Sequence, residues 1–312
     1  MHKAFDLIFL VRPPLLCASS TFFFAGAISA LNQKGDLRTA QLILGALPNL
    51  LLFALVVSAA FVVNQIFDVE SDRLNRKSFL LSAGVVRGHE AWAVLAGLTA
   101  LAVGLALLSD PAVRYLSIFG LLLGFAYSAP PVRLKGRPIL DMVANVAGFG
   151  IVGFALGWLA VGGPDPQLWI RCSPYALAMC GIFLNTCIPD EAGDRKLGDR
   201  TSCVVFGRRR VGSMTLTFMA ASAVSGALTG ETICTLAVIG SLPAVIVAGL
   251  EPTSANSVLA SQYAARLLLV LVCIRAPLLA LLSIAAYVGS RVYYRKRFGL
   301  RYPDLRGAKK IE

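Results

Sequence analysis

Apolar residues run along this chain in long blocks separated by short polar loops, at about 7–31, 40–63, 91–108, 115–129, 139–161, 175–188, 211–230, 232–250 and 264–289. Most blocks approach the roughly 20 residues a helix needs to cross a bilayer core. The two shortest suit a tilted or partly interfacial helix. A bilayer interior offers no water to backbone amides, so blocks of this kind predict helices. The pattern therefore predicts an all-α, polytopic membrane bundle of about nine transmembrane helices. Arg12-Pro13-Pro14 predicts a bend near the start of the first block, which is too long for a signal-peptide core. We expect residues 1–290 to form one transmembrane domain and 291–312 a basic C-terminal tail, with no soluble domain left over.

Composition agrees with that pattern, because 57% of the 312 residues are hydrophobic and only 15% are charged. The net charge of +12 would raise nucleic acid as a partner for a soluble chain, but its placement argues against one. Arg73, Arg76, Lys77 and Arg87 share one loop, Arg133, Lys135 and Arg137 another, and six bases lie between Arg195 and Arg210. The alternate loops hold only Lys34, Arg38, Arg114 and Arg171. Under the positive-inside rule the N-terminus and the basic loops face the cytoplasm. The tail conflicts with this, since nine spans would carry its eight Lys and Arg residues to the other side. Seven scattered cysteines without a CxxC pair and two histidines speak against a zinc site, haem ligation or a histidine triad.

Candidate chemistry lies in two acidic windows. Asp68, Glu70 and Asp72 follow the second block, and Asp190, Glu191, Asp194 and Asp199 follow the sixth; together they make seven of the 17 acidic residues. Asn64, Asp68 and Asp72, and again Asp190 and Asp194, recur at intervals of four, which puts them on one helical face. Like charges at that spacing repel, so a cation between the two windows would relieve them. Mg2+ fits best: it takes hard oxygen ligands, usually one or two carboxylates with water and substrate phosphate. Simple helix ends neutralised by Arg73, Arg195, Lys196 and Arg200 would explain one acid, less well the repeat. Pro189 would loosen the second segment and let Asn185 or a freed carbonyl turn toward a ligand.

Between the windows lies Tyr127-Ser-Ala-Pro-Pro-Val-Arg133-Leu-Lys135-Gly-Arg137. This is either a stop-transfer loop or a diphosphate clamp, with Arg133 as a bidentate fork and Lys135 as a point charge. Arg73 and Arg195 are further candidates for phosphate. Arg12, Asp141 and Asn145 stand near the same ends of their blocks and are candidates for a substrate pocket. Gly148, Gly150, Gly153 and Gly157 suit close helix packing, and also a groove for an alkyl tail.

Together these residues resemble the UbiA superfamily of intramembrane prenyltransferases. Asn64, Asp68 and Asp72 match its NxxxDxxxD motif, Asp190 and Asp194 its DxxxD motif, and Tyr127 and Lys135 its Tyr-to-Lys element within a YSxPPxRLK string. The resemblance covers essentially the whole chain. It implies helices around a central cavity, Mg2+ held by the two acidic motifs, and a prenyl diphosphate whose ionised carbon alkylates a lipophilic or aromatic acceptor. The loop after Asn75 reads Arg76-Lys-Ser-Phe-Leu-Leu-Ser-Ala-Gly84 instead of the family's usual proline and PSG string. Substrate identity is the property this departure bears on. An aromatic quinone precursor is the acceptor we expect, with glycerol-phosphate lipids, tetrapyrroles and cyclisation of the prenyl chain as alternatives. A cation-coupled transporter is the rival from another class, but it needs acids deep within spans.

Overall fold

The computed structural model describes residues 2–33, 39–74, 79–300 and 302. Lys34, Arg38, Asn75, Arg76, Lys77 and nearly all of the tail beyond residue 300 lie outside the described residues. In chain order the helices are α1 (His2–Leu10), α2 (Pro13–Gln33), α3 (Thr39–Phe67), α4 (Val69–Leu74), α5 (Phe79–Ser82), α6 (Gly88–Leu107) and α7 (Pro111–Ser128). There follow α8 (Leu140–Asn145), a π-helical segment (Val146–Gly153), α9 (Phe154–Val161), α10 (Gln167–Leu197), α11 (Ser202–Thr229), α12 (Thr232–Leu250), α13 (Ser254–Arg275) and α14 (Pro277–Phe298). Nine helical stretches among the described residues are long and apolar enough to cross a membrane. The protein is an all-helical, multi-pass membrane protein.

Successive long helices run antiparallel, so loops collect at two faces. One carries both acidic windows and is called here the motif face. The expected bend is the break between α1 and α2, where Arg12 takes a left-handed φ of 54°. The core is built on Phe23, Phe24, Phe53, Phe154, Trp158 and Tyr175, all fully buried. Helices α2 and α9 meet at glycines: a Cβ on Gly26 would strike the Phe154 backbone, and one on Gly157 the Phe23 backbone. Small residues let helix axes approach this closely.

At the opposite face buried Glu231 ties three elements together. Arg171 Nη1 donates to its Oε1 at 2.9 Å, Ser29 Oγ to the same oxygen at 2.5 Å and Tyr175 OH to Oε2 at 3.2 Å.

The last apolar block departs from expectation. It is a hairpin, since Pro277 has no N–H to continue α13 and stands at the start of α14. Arg275 ends α13, and its Nη2 donates to Asn32 Oδ1 at 3.3 Å. The other end of α14 returns to the motif face. There Tyr293 OH donates to buried Asp6 Oδ1 at 2.5 Å, Arg297 Nε donates to the same oxygen at 3.3 Å, and the rings of Phe9 and Tyr293 stack 3.9 Å apart. The residue-290 boundary proposed for the tail thus falls inside α14.

Candidate active site

Asn64 and Asp68 sit where α3 ends, and a turn at Asp68 separates it from α4. Helical bonding continues across that turn: Asp68 N–H donates to Asn64 O at 3.0 Å and Asp72 N–H to Asp68 O at 2.7 Å. The three side chains therefore stay on one stripe. Asn64 Nδ2 donates to Asp68 Oδ2 at 2.7 Å and to Ser128 Oγ at 3.3 Å, which fixes the start of the motif against the end of α7. Arg12 Nη2 stands 3.7 Å from Asp72 Oδ2.

Lys135 rides on a single 3-10 turn (Leu134–Gly136) between α7 and α8. Its ammonium is ion-paired with Asp68 Oδ1, and the two side chains are only 11% and 13% exposed. Asp194 of the second motif and Asp199 lie within electrostatic reach of the same ammonium. Burial pushes the Lys135 amine down to about 8, against the opposing pull of those two carboxylates. Tyr127 lies within hydrogen-bonding reach of Asn145 and close to Asp194. Lys135 thus pairs with the first acidic window and lies within electrostatic reach of the second, and Asn64, Asp68, Tyr127, Lys135, Asn145 and Asp194 are all half-buried. Asp190, also half-buried, precedes Asp194 by one turn on α10, which continues as helix through Pro189. Buried Asn185, one turn before Pro189, leaves its Oδ1 without a hydrogen bond.

Other candidate residues have partners elsewhere. Arg133 forms a fork with Asp199, Nε to Oδ1 at 3.2 Å and Nη2 to Oδ2 at 2.9 Å. Arg195 pairs with Glu191 at 2.7 Å, and Arg208 reaches the same carboxylate at 2.6 Å. Arg73 is exposed and donates from Nε to Ser82 O at 3.3 Å. Asp141 is buried, and its oxygens accept from the Ser202 hydroxyl at 2.5 Å, Ser202 N–H at 2.7 Å and Met142 N–H at 2.8 Å. It braces α8 to the start of α11. Ser202 and the Asp6 cluster carry no sequence signal of their own roles; Asp199 carries one only as a member of the second acidic window, and Glu231 a weak one, as a lone acid between two apolar blocks.

The donor set suits a hard cation, because Asn64, Asp68, Asp72, Asp190 and Asp194 offer amide and carboxylate oxygens. Among the described residues no group of three acidic, histidine or cysteine side chains closes around one point.

The model of the UbiA prenyltransferase family matches residues 19–253. A probable homogentisate phytyltransferase 2 of Oryza sativa is 30% identical over 195 residues, covering 56% of this chain and 50% of that protein. A lycopene elongase/hydratase of Haloferax volcanii is 30% identical over 148 residues, 47% of this chain and 48% of that one. The chain thus spans about half the length of these curated relatives. Among solved structures, a UbiA homolog from Archaeoglobus fulgidus bound to DMAPP and Mg2+ superposes with a TM-score of 0.65 at 19% identity, over 84% of this chain and 99% of that one.

Proposed function

This chain belongs to the UbiA prenyltransferase family, and from that premise we propose that it transfers a prenyl group from a prenyl diphosphate to an aromatic acceptor of the quinone-precursor type, with Mg2+ as cofactor. The observation that supports the proposal is Lys135, a half-buried cation paired with Asp68 and within electrostatic reach of Asp194.

Asn64, Asp68, Asp72, Asp190 and Asp194 would hold the metal. Bound Mg2+ supplies Lewis-acid stabilisation of the charge that develops on the leaving diphosphate. Lys135 adds a positive charge at the same place. Preorganised charge of this kind stabilises a leaving anion most in a site with little water. Arg12, at the joint between α1 and α2, contributes a second positive group beside Asp72. Tyr127 and Asn145 form the inner wall, where the ionised allylic carbon meets its acceptor. No protein nucleophile is required.

The relatives are named for different acceptors, homogentisate in one case and lycopene in another; the aromatic choice sides with the first of them. The basic loops support a cytoplasmic motif face. The test is pyrophosphate release by purified protein from a panel of prenyl diphosphates, with Mg2+ or EDTA, and with or without phenolic acceptors. We expect release that needs both Mg2+ and an acceptor. Release without an acceptor would favour cyclisation or hydrolysis, and no release from any donor by folded protein would overturn the transferase.

A further inference from the structure

Lys135 stands on a short loop that hangs between two membrane helices, and the backbone there is unusual. Arg133 and Ile139 both take left-handed φ values, 37° and 70°, a region that costs a non-glycine residue on the order of 1–3 kcal/mol and persists only when surroundings fix it. Besides the Lys135–Asp68 pair, the long-range contacts to this loop come from the turn between α10 and α11 and from the first residue of α11. Asp199 receives the Arg133 fork at 3.2 and 2.9 Å. Arg200 N–H donates to Gly136 O at 3.1 Å. The Ser202 hydroxyl accepts from Ile139 N–H at 2.8 Å. A Cβ on residue 136 would sit 2.9 Å from Asp199 Oδ1, so the carboxylate lies flat against the turn that carries Lys135.

We propose that Asp199, which belongs to neither four-spaced motif, is a positioning residue: by gripping Arg133 it holds the 133–139 loop so that the Lys135 ammonium meets Asp68. The inference rests on the transferase reading and adds a role to it. Asp199 follows the second motif directly, and Lys135 pairs with the first. The Arg133 fork therefore links the two acidic windows through the loop between them. A bidentate fork suits the task, since a planar guanidinium is preorganised and fixes direction as well as distance. Arg133 acts here as a strut and has no need to touch substrate.

Two readouts on protein in nanodiscs test this. The first needs no turnover: the rate at which acetic anhydride labels Lys135, followed by mass spectrometry. We expect Asp199→Asn and Arg133→Ala each to raise it several-fold, with Lys3 and Lys196 unchanged. The double variant should show no more than either single one, because the two side chains act as one unit. Arg133→Lys, which keeps the charge and loses the fork, should fall between and serves if a harsher variant does not fold. The second readout is kinetic. A displacement of about 1 Å can cost about a hundredfold in rate, so kcat should fall at least about tenfold with KM for the diphosphate donor nearly unchanged. Equal Lys135 labelling in wild-type and Asp199→Asn protein overturns the proposal. A loosened Lys135 with kcat intact, or a change confined to KM, overturns it too, the latter by assigning the pair to donor binding. Failure of the wild-type protein to release pyrophosphate would count against the transferase reading alone, because labelling still reads the loop.

Discussion

At the scale of single residues, two kinds of charge must be separated. Asp68 and Asp194 are half-buried and face one cation, so Asp68→Ala or Asp194→Ala should lower pyrophosphate release by about 10²–10³-fold or more, the order seen when one preorganised electrostatic contact is lost. Circular dichroism should show the helices intact, and near-normal turnover in either variant would contradict the metal assignment. Glu231 is buried at the far face among Arg171, Ser29 and Tyr175. Breaking such a pair strands a charge. Glu231→Gln should therefore cost about 3 kcal/mol, the low end for buried pairs because Arg171 reaches the surface, read as a lower melting temperature in detergent; an unchanged melting temperature would refute this tie. The first group was legible in the sequence, since carboxylates repeated every four residues in an acid-poor chain carry their own pattern. The second was nearly silent, because Arg171 and Glu231 are 60 residues apart and only tertiary contact defines their partnership. Arg133 shows the limit from the other side: its residue type suits phosphate, yet its geometry is taken up by Asp199.

At the scale of elements, apolar length located the helices, and proline and glycine chemistry decided how they end and meet. The block at 264–289 reads as one span by hydropathy, but Pro277 makes it the tip of a hairpin. Sequence alone ranks that break below the apolar run because proline is tolerated in many membrane helices, as Pro48, Pro174, Pro189 and Pro243 show here. Glycines divide likewise. Gly157 in α9 has the Phe23 backbone where its Cβ would go, whereas Gly97 in α6 has nothing within 4 Å. Gly157→Ala should thus destabilise by about 3 kcal/mol, the upper range for overpacking, because backbone cannot turn aside. Gly97→Ala should be neutral or gain up to about 1 kcal/mol of helix propensity. In thermal melts Gly157→Ala should fall and Gly97→Ala should not; equal shifts would contradict the close α2–α9 crossing.

At the scale of the whole molecule, helix α14 resolves the charge conflict posed by the tail. Nine crossings would carry the tail's bases away from the other basic loops. Helix α14, which is not one of the nine apolar spans, runs back between the two faces: Arg275 lies beside Asn32 at the far face, while Tyr293 and Arg297 bond Asp6 at the motif face. At roughly 1.5 Å per residue, the 22 residues of α14 match the thickness of a bilayer core. Hydropathy alone undervalues this helix, since Arg291, Arg295, Lys296 and Arg297 crowd its last turns, where a cationic end belongs at an interface. It follows that the N-terminus, both acidic windows and the start of the tail share one side. Cysteines introduced by Arg200→Cys and Leu300→Cys should react with a membrane-impermeant maleimide from the same side of sealed vesicles, and Pro164→Cys from the other. Leu300→Cys labelled together with Pro164→Cys would remove the crossing assigned to α14. It would also remove the reason for Asp6 to be buried, because the α1–α14 clamp closes only when α1 and the last turns of α14 meet at the motif face.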